Sequence, residues 1–533
     1  MLAIRGLDIP LPIKAERRFA VRGLSLDLAP GELLCIVGES GSGKSLTARA
    51  VMGLLPDLGL RASAGSILFE GQDLLALPPR RMEALRGREI SMIFQEPMTA
   101  LNPLMRVGDQ IAELFHIHGV RLGRAERRER VAALLADLHL PDPERVAAAY
   151  PFELSGGQRQ RVMIAIAFAL RPRLLIADEP TTALDVTTQM QILRLLKELQ
   201  RERGTGVLFI THDFGVVAEI ADRVAVMRHG ELVEEGTAAE VLRRPRHDYT
   251  RTLIASVPRP VEQAEAGEAA TGAPVLAVEG LVKTFSVRRG LFGRERRVPA
   301  VRGVSFRLRA GETLAIVGES GSGKTTLSRC IVRLLKPDAG RVAIDGEDIG
   351  GLGGDALRAR RRTIQMVFQD PHGSLNPRQR VGEIVMAGPL AHGAGRAASR
   401  ATAARMLALV GLDEGAMERF PHQFSGGQRQ RIGLARALAL EPRILIADEP
   451  VSALDVTVQA QILELLQDVR RKLGLAMVFI THDLRVAAQV ADRIAVMSQG
   501  EIVEEATPQA LFATPRHAYT RALVASIPGR GAI

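Results

Sequence analysis

Residues 38–45 read GESGSGKS, and residues 318–325 read GESGSGKT. Both fit G-x-x-x-x-G-K-[ST]. Upstream of the first, ELLCIV reads as a short buried strand; downstream, SLTARAVMGLL continues as a helix. Glycines let the backbone curl until successive N–H groups point at phosphate oxygens. The helix N-terminus that follows adds its dipole. The expected nucleotide contacts are Gly38, Glu39, Ser40, Gly41, Ser42, Gly43 and Lys44, and in the second copy Gly318, Glu319, Ser320, Gly321, Ser322, Gly323 and Lys324. Lys44 and Lys324 would reach the β- and γ-phosphates, and the Ser45 and Thr325 hydroxyls would bind Mg²⁺. A flexible glycine turn could give such letters once; two intact copies in a strand–loop–helix setting argue against it.

Outward from these loops the whole chain repeats. FQEP at 94–97 returns as FQDP at 368–371, and SGGQRQR at 155–161 returns at 425–431. LIADEP (175–180, 445–450), ALDVT (183–187, 453–457) and ITHD (210–213, 480–483) follow in the same order. RHDYTR at 246–251 matches RHAYTR at 516–521. This is one domain of about 260 residues written twice, far longer than a solenoid repeat. The first domain spans 1–257 and the second 275–533, joined by the Pro-, Ala-, Glu- and Gly-rich linker 258–274. Within each, buried strands alternate with helices, which implies an α/β fold with a parallel-sheet core. Ile192, Leu195, Leu196 and Leu199 fall on one helical face, as do Ile462, Leu465, Leu466 and Val469. Segments near 102–150 and 376–420 lack strand signals and read as helical insertions.

A chain of 533 residues exceeds what one core supports. No apolar run approaches the roughly 18–20 residues of a membrane span, and the start is too charged and Pro-rich for a signal peptide. A cytoplasmic protein is expected, reaching any membrane through partners. The net charge of +10 suits phosphates, but with no Trp and three Tyr a nucleic-acid surface is not indicated. Cys35 and Cys330 lie in apolar surroundings and read as buried, inert thiols.

Asp178 and Asp448 end buried strands, where a carboxylate can hold the water shell of Mg²⁺. The adjacent Glu179 and Glu449 can polarise an attacking water as general bases. His212 and His482, each 33 residues past its Glu, would contact the γ-phosphate and orient that water.

With these motifs in place the sequence resembles the ATP-binding cassette ATPases over nearly its whole length. Their signature LSGGQ stands complete at 154–158, and with Phe for Leu at 424–428. The resemblance implies two tandem nucleotide-binding domains of P-loop type, each with a helical subdomain. It implies that Ser155, Gly156, Gly157 and Gln158, and Ser425, Gly426, Gly427 and Gln428, bind ATP held by the other copy's phosphate loop. It places Gln95 and Gln369 at Mg²⁺ and at the transmembrane partner. It expects an aromatic residue to stack on adenine: Phe285 fits in the second copy, while the first has Leu11 at the matching place and Phe19 nearby. The pattern FQ[DE]P-x₃-LNP-x₃-VG and the RHxYTR tails resemble the importer branch for peptides, nickel and glutathione. A single chain with two such halves is similar to the fused ATPase of microcin C-type peptide importers. That implies two membrane permeases and a periplasmic solute-binding protein as partners, a peripheral position on the cytoplasmic face of the inner membrane, and ATP with Mg²⁺ as ligands. With no Cys in the tails, no iron–sulfur cluster is expected. A soluble tandem cassette ATPase acting on ribosomes, or an exporter ATPase, are the alternatives; the short linker and the LNP and RHxYTR elements favour import.

Overall fold

A computed structural model describes residues 1–12, 17–95, 100–181, 184–257, 272–288, 295–452 and 454–529. Most of the expected linker, together with Ala183 and Ala453, lies outside these. The chain divides into two units, one holding the residues up to Val257 together with the end of the chain from Ile527, and the other the residues between; the expected second domain, 275–533, thus gives up its last residues to the first unit.

Among the described residues the first unit has ten strands: β1 (Leu2–Pro10), β2 (Phe19–Leu28), β3 (Leu33–Val37), β4 (Ala64–Phe69), β5 (Gln72–Asp73), β6 (Ile90–Ile93), β7 (Leu174–Asp178), β8 (Gly206–Thr211), β9 (Arg223–Arg228) and β10 (Glu231–Thr237). Every residue of β3, β6, β7 and β8 is buried. Strands apolar on both faces belong inside a covered parallel sheet, and that is where they lie. The sheet order is β10-β9-β3-β8-β7-β6. All neighbours are parallel except the edge pair β9–β10. Pairing of Val37 with Thr211, and of Asp178 with Ile210, brings the C-terminal ends of β3, β8 and β7 level. Open α/β sheets bind ligands outside such ends.

A second sheet, β2-β1-β4-β5, is antiparallel. It is absent from the expected architecture. One core joins the two sheets: Ile4, Leu7 and Ile9 of β1 pack with Ile36, Leu208 and Ile210, and with Ala48 and Val51 of the helix Lys44–Val51. The insertion expected near 102–150 is helical, as Val107–Ile117, Arg124–Asp137 and Pro143–Ala148, with Ile111, Phe115, Val131, Leu135 and Val146 buried. The helix Val186–Arg203 buries Ile192, Leu195, Leu196 and Leu199, the face that the spacing predicts.

The second unit repeats this order. β11 (Leu276–Arg288), β12 (Glu295–Leu308), β14 (Ala339–Ile344) and β15 (Glu347–Asp348) form the antiparallel sheet. β13 (Thr313–Val317), β16 (Ile364–Val367), β17 (Ile444–Asp448), β18 (Ala476–Thr481), β19 (Arg493–Ser498) and β20 (Glu501–Ala506) form the other, in the order β16-β17-β18-β13-β19-β20. The helices Val381–Ala391 and Arg396–Leu409 occupy the second insertion. Among the described residues no helix is long and apolar enough to cross a membrane.

Cys35 on β3 and Cys330 in the helix Lys324–Ile331 are both buried and unbridged. Burial pushes both thiols up, Cys330 to about 11 and Cys35 further. A thiol probe at neutral pH should therefore leave the folded chain unlabelled and modify both cysteines after denaturation. Rapid labelling of either thiol in the native chain would contradict this core.

Candidate active site

Each phosphate loop leaves its strand at the level of the neighbouring strand ends. Gly38 follows β3 directly, and the helix Lys44–Val51 begins where the loop ends. A Cβ at Gly38 would lie 2.2 Å from the Met227 carbonyl oxygen of β9. Gly43 has φ +102°, and a Cβ there would lie 2.6 Å from the Ala20 carbonyl oxygen. Only glycine fits either place. The Lys44 ammonium folds back into the loop, donating to the carbonyls of Gly38 (2.7 Å) and Glu39 (2.8 Å) and to Ser42 Oγ (3.4 Å). Lys324 repeats this on Gly318 (2.8 Å) and Glu319 (2.9 Å). Ser40 and Gly41, like Ser320 and Gly321, form the exposed rim. Ser322 Oγ is buried without a hydrogen-bond partner. A buried cation, a curled backbone and an unspent hydroxyl form a cradle for an anion.

The expected metal ligands meet across the sheet. Ser45 Oγ donates to Asp178 Oδ1 at 2.9 Å, and Thr325 Oγ1 to Asp448 Oδ1 at 3.4 Å. Asp448 has a second donor that sequence reasoning missed, Ser328 Oγ at 3.2 Å to Oδ2; the matching residue of the first unit is Ala48. Burial raises both carboxyls, Asp448 to about 6, against the pull of these hydroxyls. Two hard oxygens on adjoining elements suit Mg²⁺, whose other positions go to water and phosphate.

One residue on, Glu179 and Glu449 both take φ +46°. Glu179 Oε2 accepts from Gln95 Nε2 at 2.9 Å, and its Oε1 lies 3.3 Å from His212 Nδ1. Glu449 takes both contacts on one oxygen: its Oε2 accepts from Gln369 Nε2 at 2.8 Å and lies 3.6 Å from His482 Nδ1. Thus Gln95 and Gln369, expected at the metal, here grip the glutamates. Burial pulls His212 and His482 down, but the adjacent Glu outweighs it and both imidazoles lie above their ordinary value. Burial pushes Glu449 up, yet His482, Lys324 and Gln369 together hold it below the usual carboxylate range. A carboxylate on a strand end, kept ionised as Glu449 is and held by an amide and an imidazole, is built to accept a proton.

The SGGQ segments start helices, Gly156–Phe168 and Gly426–Leu438. Ser155 Oγ accepts from the Gln158 N–H (3.3 Å), while Gln158 Oε1 accepts from the Ser155 N–H (3.0 Å). Ser425 and Gln428 do the same at 3.3 and 3.0 Å. The Gln of this motif therefore closes a capping box. The two glycines differ. A Cβ on Gly157 would lie 2.6 Å from Thr188 Cγ2, and one on Gly427 2.4 Å from Val458 Cγ1, so the second glycine is required by the neighbouring helix. Gly156 has nothing within 4 Å and leaves its backbone open to a ligand.

Phe285 on β11 is 38% exposed, with the Lys283 ammonium 5.9 Å from its ring centroid. In the first unit Leu11 packs on the core and Phe19 lies under the Arg18 guanidinium, 5.4 Å from its centroid. The tails also reach the site, which the motif letters did not reveal. The Glu39 N–H donates to Tyr249 Oη at 3.2 Å, and the Glu319 N–H to Tyr519 Oη at 3.0 Å. The repetition of RHxYTR was the available signal.

The ABC transporter family profile matches residues 21–182 and 301–452. The profile for the oligopeptide/dipeptide transporter C-terminal region matches 233–288 and 503–532. The glutathione import ATP-binding protein GsiA of Salmonella choleraesuis strain SC-B67 is 46% identical over 99% of this chain and 89% of its own length. The peptidoglycan transport ATP-binding protein YejF of Agrobacterium fabrum strain C58 is 47% identical over 99% of this chain and 96% of its own. GsiA of Escherichia coli K12 is 46% identical, also over 99% and 89%. The chain belongs to the ABC transporter ATPases, with two cassettes in one polypeptide.

Proposed function

We propose that the chain hydrolyses ATP to energise import of peptides or peptide-like solutes through a membrane complex. The observation that carries this is the pairing, in both units, of a complete Lys–Asp–Glu–His constellation with a tail of the oligopeptide/dipeptide transporter type. The names of the relatives, for glutathione import and peptidoglycan transport, point to the same solute class.

Lys44 and Lys324 bind the phosphates, giving up their loop carbonyls for β- and γ-oxygens. Ser45 with Asp178, and Thr325 with Asp448, would hold Mg²⁺, which when bound would neutralise charge on the phosphates. Glu179 and Glu449 each take a proton from the attacking water, and His212 and His482 steady the carboxylate and the γ-phosphate. Gln95 and Gln369 hydrogen-bond those carboxylates and orient them. By the family resemblance each ATP would be completed by the SGGQ segment of the other unit, at the N-terminus of its helix. Phe285 supplies the adenine platform of the second site. The partners are two transmembrane permeases and a periplasmic solute-binding protein, with the chain peripheral on the cytoplasmic face of the inner membrane.

Glu179→Gln and Glu449→Gln should each lower ATP turnover, by roughly 10²–10⁴ at the altered site, while ATP still binds. Turnover and ATP affinity measured with coexpressed permeases check this; a variant at wild-type rate would remove that glutamate from the mechanism. Ser425→Arg places a long cation where the γ-phosphate of the Lys44 site must sit. Under closing conditions, photoreactive ATP should then label the first half less than the second once the two are separated by proteolysis. Loss confined to the second half would mean self-contained sites.

A further inference from the structure

The repeated RHxYTR segments are accounted for residue by residue once their surroundings are read. On β10, Glu234 accepts from the backbone N–H groups of Arg246 (Oε1, 2.7 Å) and His247 (Oε2, 3.1 Å). His247 Nδ1 then accepts from the Tyr249 N–H at 3.1 Å, capping the helix Asp248–Ala255. Thr250 is fully buried. Arg251 ties back to the carbonyls of Pro245 (2.9 Å) and Arg246 (3.0 Å). The second unit repeats the frame: Glu504 accepts from Arg516 (2.8 Å) and His517 (2.9 Å), and His517 Nδ1 from the Tyr519 N–H (3.2 Å). Each part of the frame fixes the start of a short helix that carries one tyrosine.

That tyrosine points to the phosphate loop. Tyr249 is 7% exposed, and its hydroxyl accepts the Glu39 N–H. The same Glu39 offers its carbonyl to the Lys44 ammonium at 2.8 Å. Tyr519, Glu319 and Lys324 make the identical chain, at 3.0 and 2.9 Å. One residue thus connects the tail hydroxyl to the phosphate-binding lysine in each unit. The Arg228 guanidinium lies 4.8 Å from the Tyr249 ring centroid; the matching residue in the second unit is Ser498. Burial pushes the Tyr249 phenol up to about 12, so the hydroxyl keeps its proton across the working pH range.

We propose that Tyr249 and Tyr519 are positioning residues for the nucleotide. Each hydroxyl fixes the first turn of the phosphate loop, and with it the carbonyl on which the lysine rests. The tail repeat is then part of the nucleotide site, and displacing the tail helix loosens nucleotide binding in the unit that carries it. This rests on the reading of the two loops as ATP sites.

The test uses the full-length chain carrying Tyr249→Phe and Tyr519→Phe together, which removes two hydroxyls and little else. ADP and a non-hydrolysable ATP analogue are titrated, amide exchange is followed in peptides covering residues 37–45 and 317–325, and the thermal midpoint is recorded without nucleotide. Loss of one buried hydrogen bond per site should raise Kd roughly 3- to 10-fold. Exchange in both loops should quicken, with a midpoint lowered by no more than about 4 °C. Thr252→Ala, an exposed change in the same tail helix, should leave Kd alone. A double variant that binds like a wild type which itself binds ATP overturns this inference alone, as does a lowered midpoint at unchanged Kd. A wild type that binds no nucleotide overturns the underlying reading as well.

Discussion

The Met227 carbonyl leaves no room for a side chain at Gly38, and much of each unit follows from that contact. Because the chain can turn so tightly off β3, the loop stays above the sheet, and Lys44 starts a helix with its ammonium drawn back to the loop carbonyls. The same turn leaves Ser45 facing Asp178 on β7, two strands away, with β8 between them supplying His212. Gly318 against Met497 reproduces the constraint at 2.1 Å. The Lys44 loop, the Ser45–Asp178 pair and the Glu179–His212 pair are thus three consequences of parallel strands ending level.

The two units share this frame but differ around it. Asp448 is gripped by Ser328 as well as Thr325, where the first unit has Ala48. Arg485 pairs with the half-buried Asp483 beside His482 and holds that carboxyl below its usual range against the upward push of desolvation; Gly215 stands at the matching place. Thr181 accepts from Gln189 at 3.3 Å, while its counterpart Val451 packs into the core. The substitutions lie two or three residues from Glu179, His482 and Thr325 or their counterparts, so the two units share a frame without identical surroundings.

Much of this was legible in the letters. Buried parallel strands are short apolar runs, and LLCIV and LLIAD announce themselves. The antiparallel sheet was not legible, because β1 does not alternate cleanly: its pairing shifts register between Ile4 and Leu7, around Gly6 at φ +53°. A bulge of that kind breaks the two-residue period on which strand recognition depends. The structure brings Lys44, Ser45, Asp178, Glu179 and His212, all expected at the site, to the same strand ends, but two contacts were hidden. The second glycine of SGGQ answers to Thr188 or Val458, residues about 31 positions away in sequence. The tail tyrosines reach a loop 210 and 200 residues upstream. Contacts over such separations leave no periodicity to read.

One chain is proposed to hold two complete, hydrolysing nucleotide sites. The most direct measurement is the number of nucleotides retained per chain by the Glu179→Gln, Glu449→Gln double variant, assembled with its permeases and incubated with Mg²⁺ and ATP. With the bases removed and the binding frame intact, two ATP molecules per chain should be trapped. One would leave a degenerate unit, and none would contradict the account of both loops.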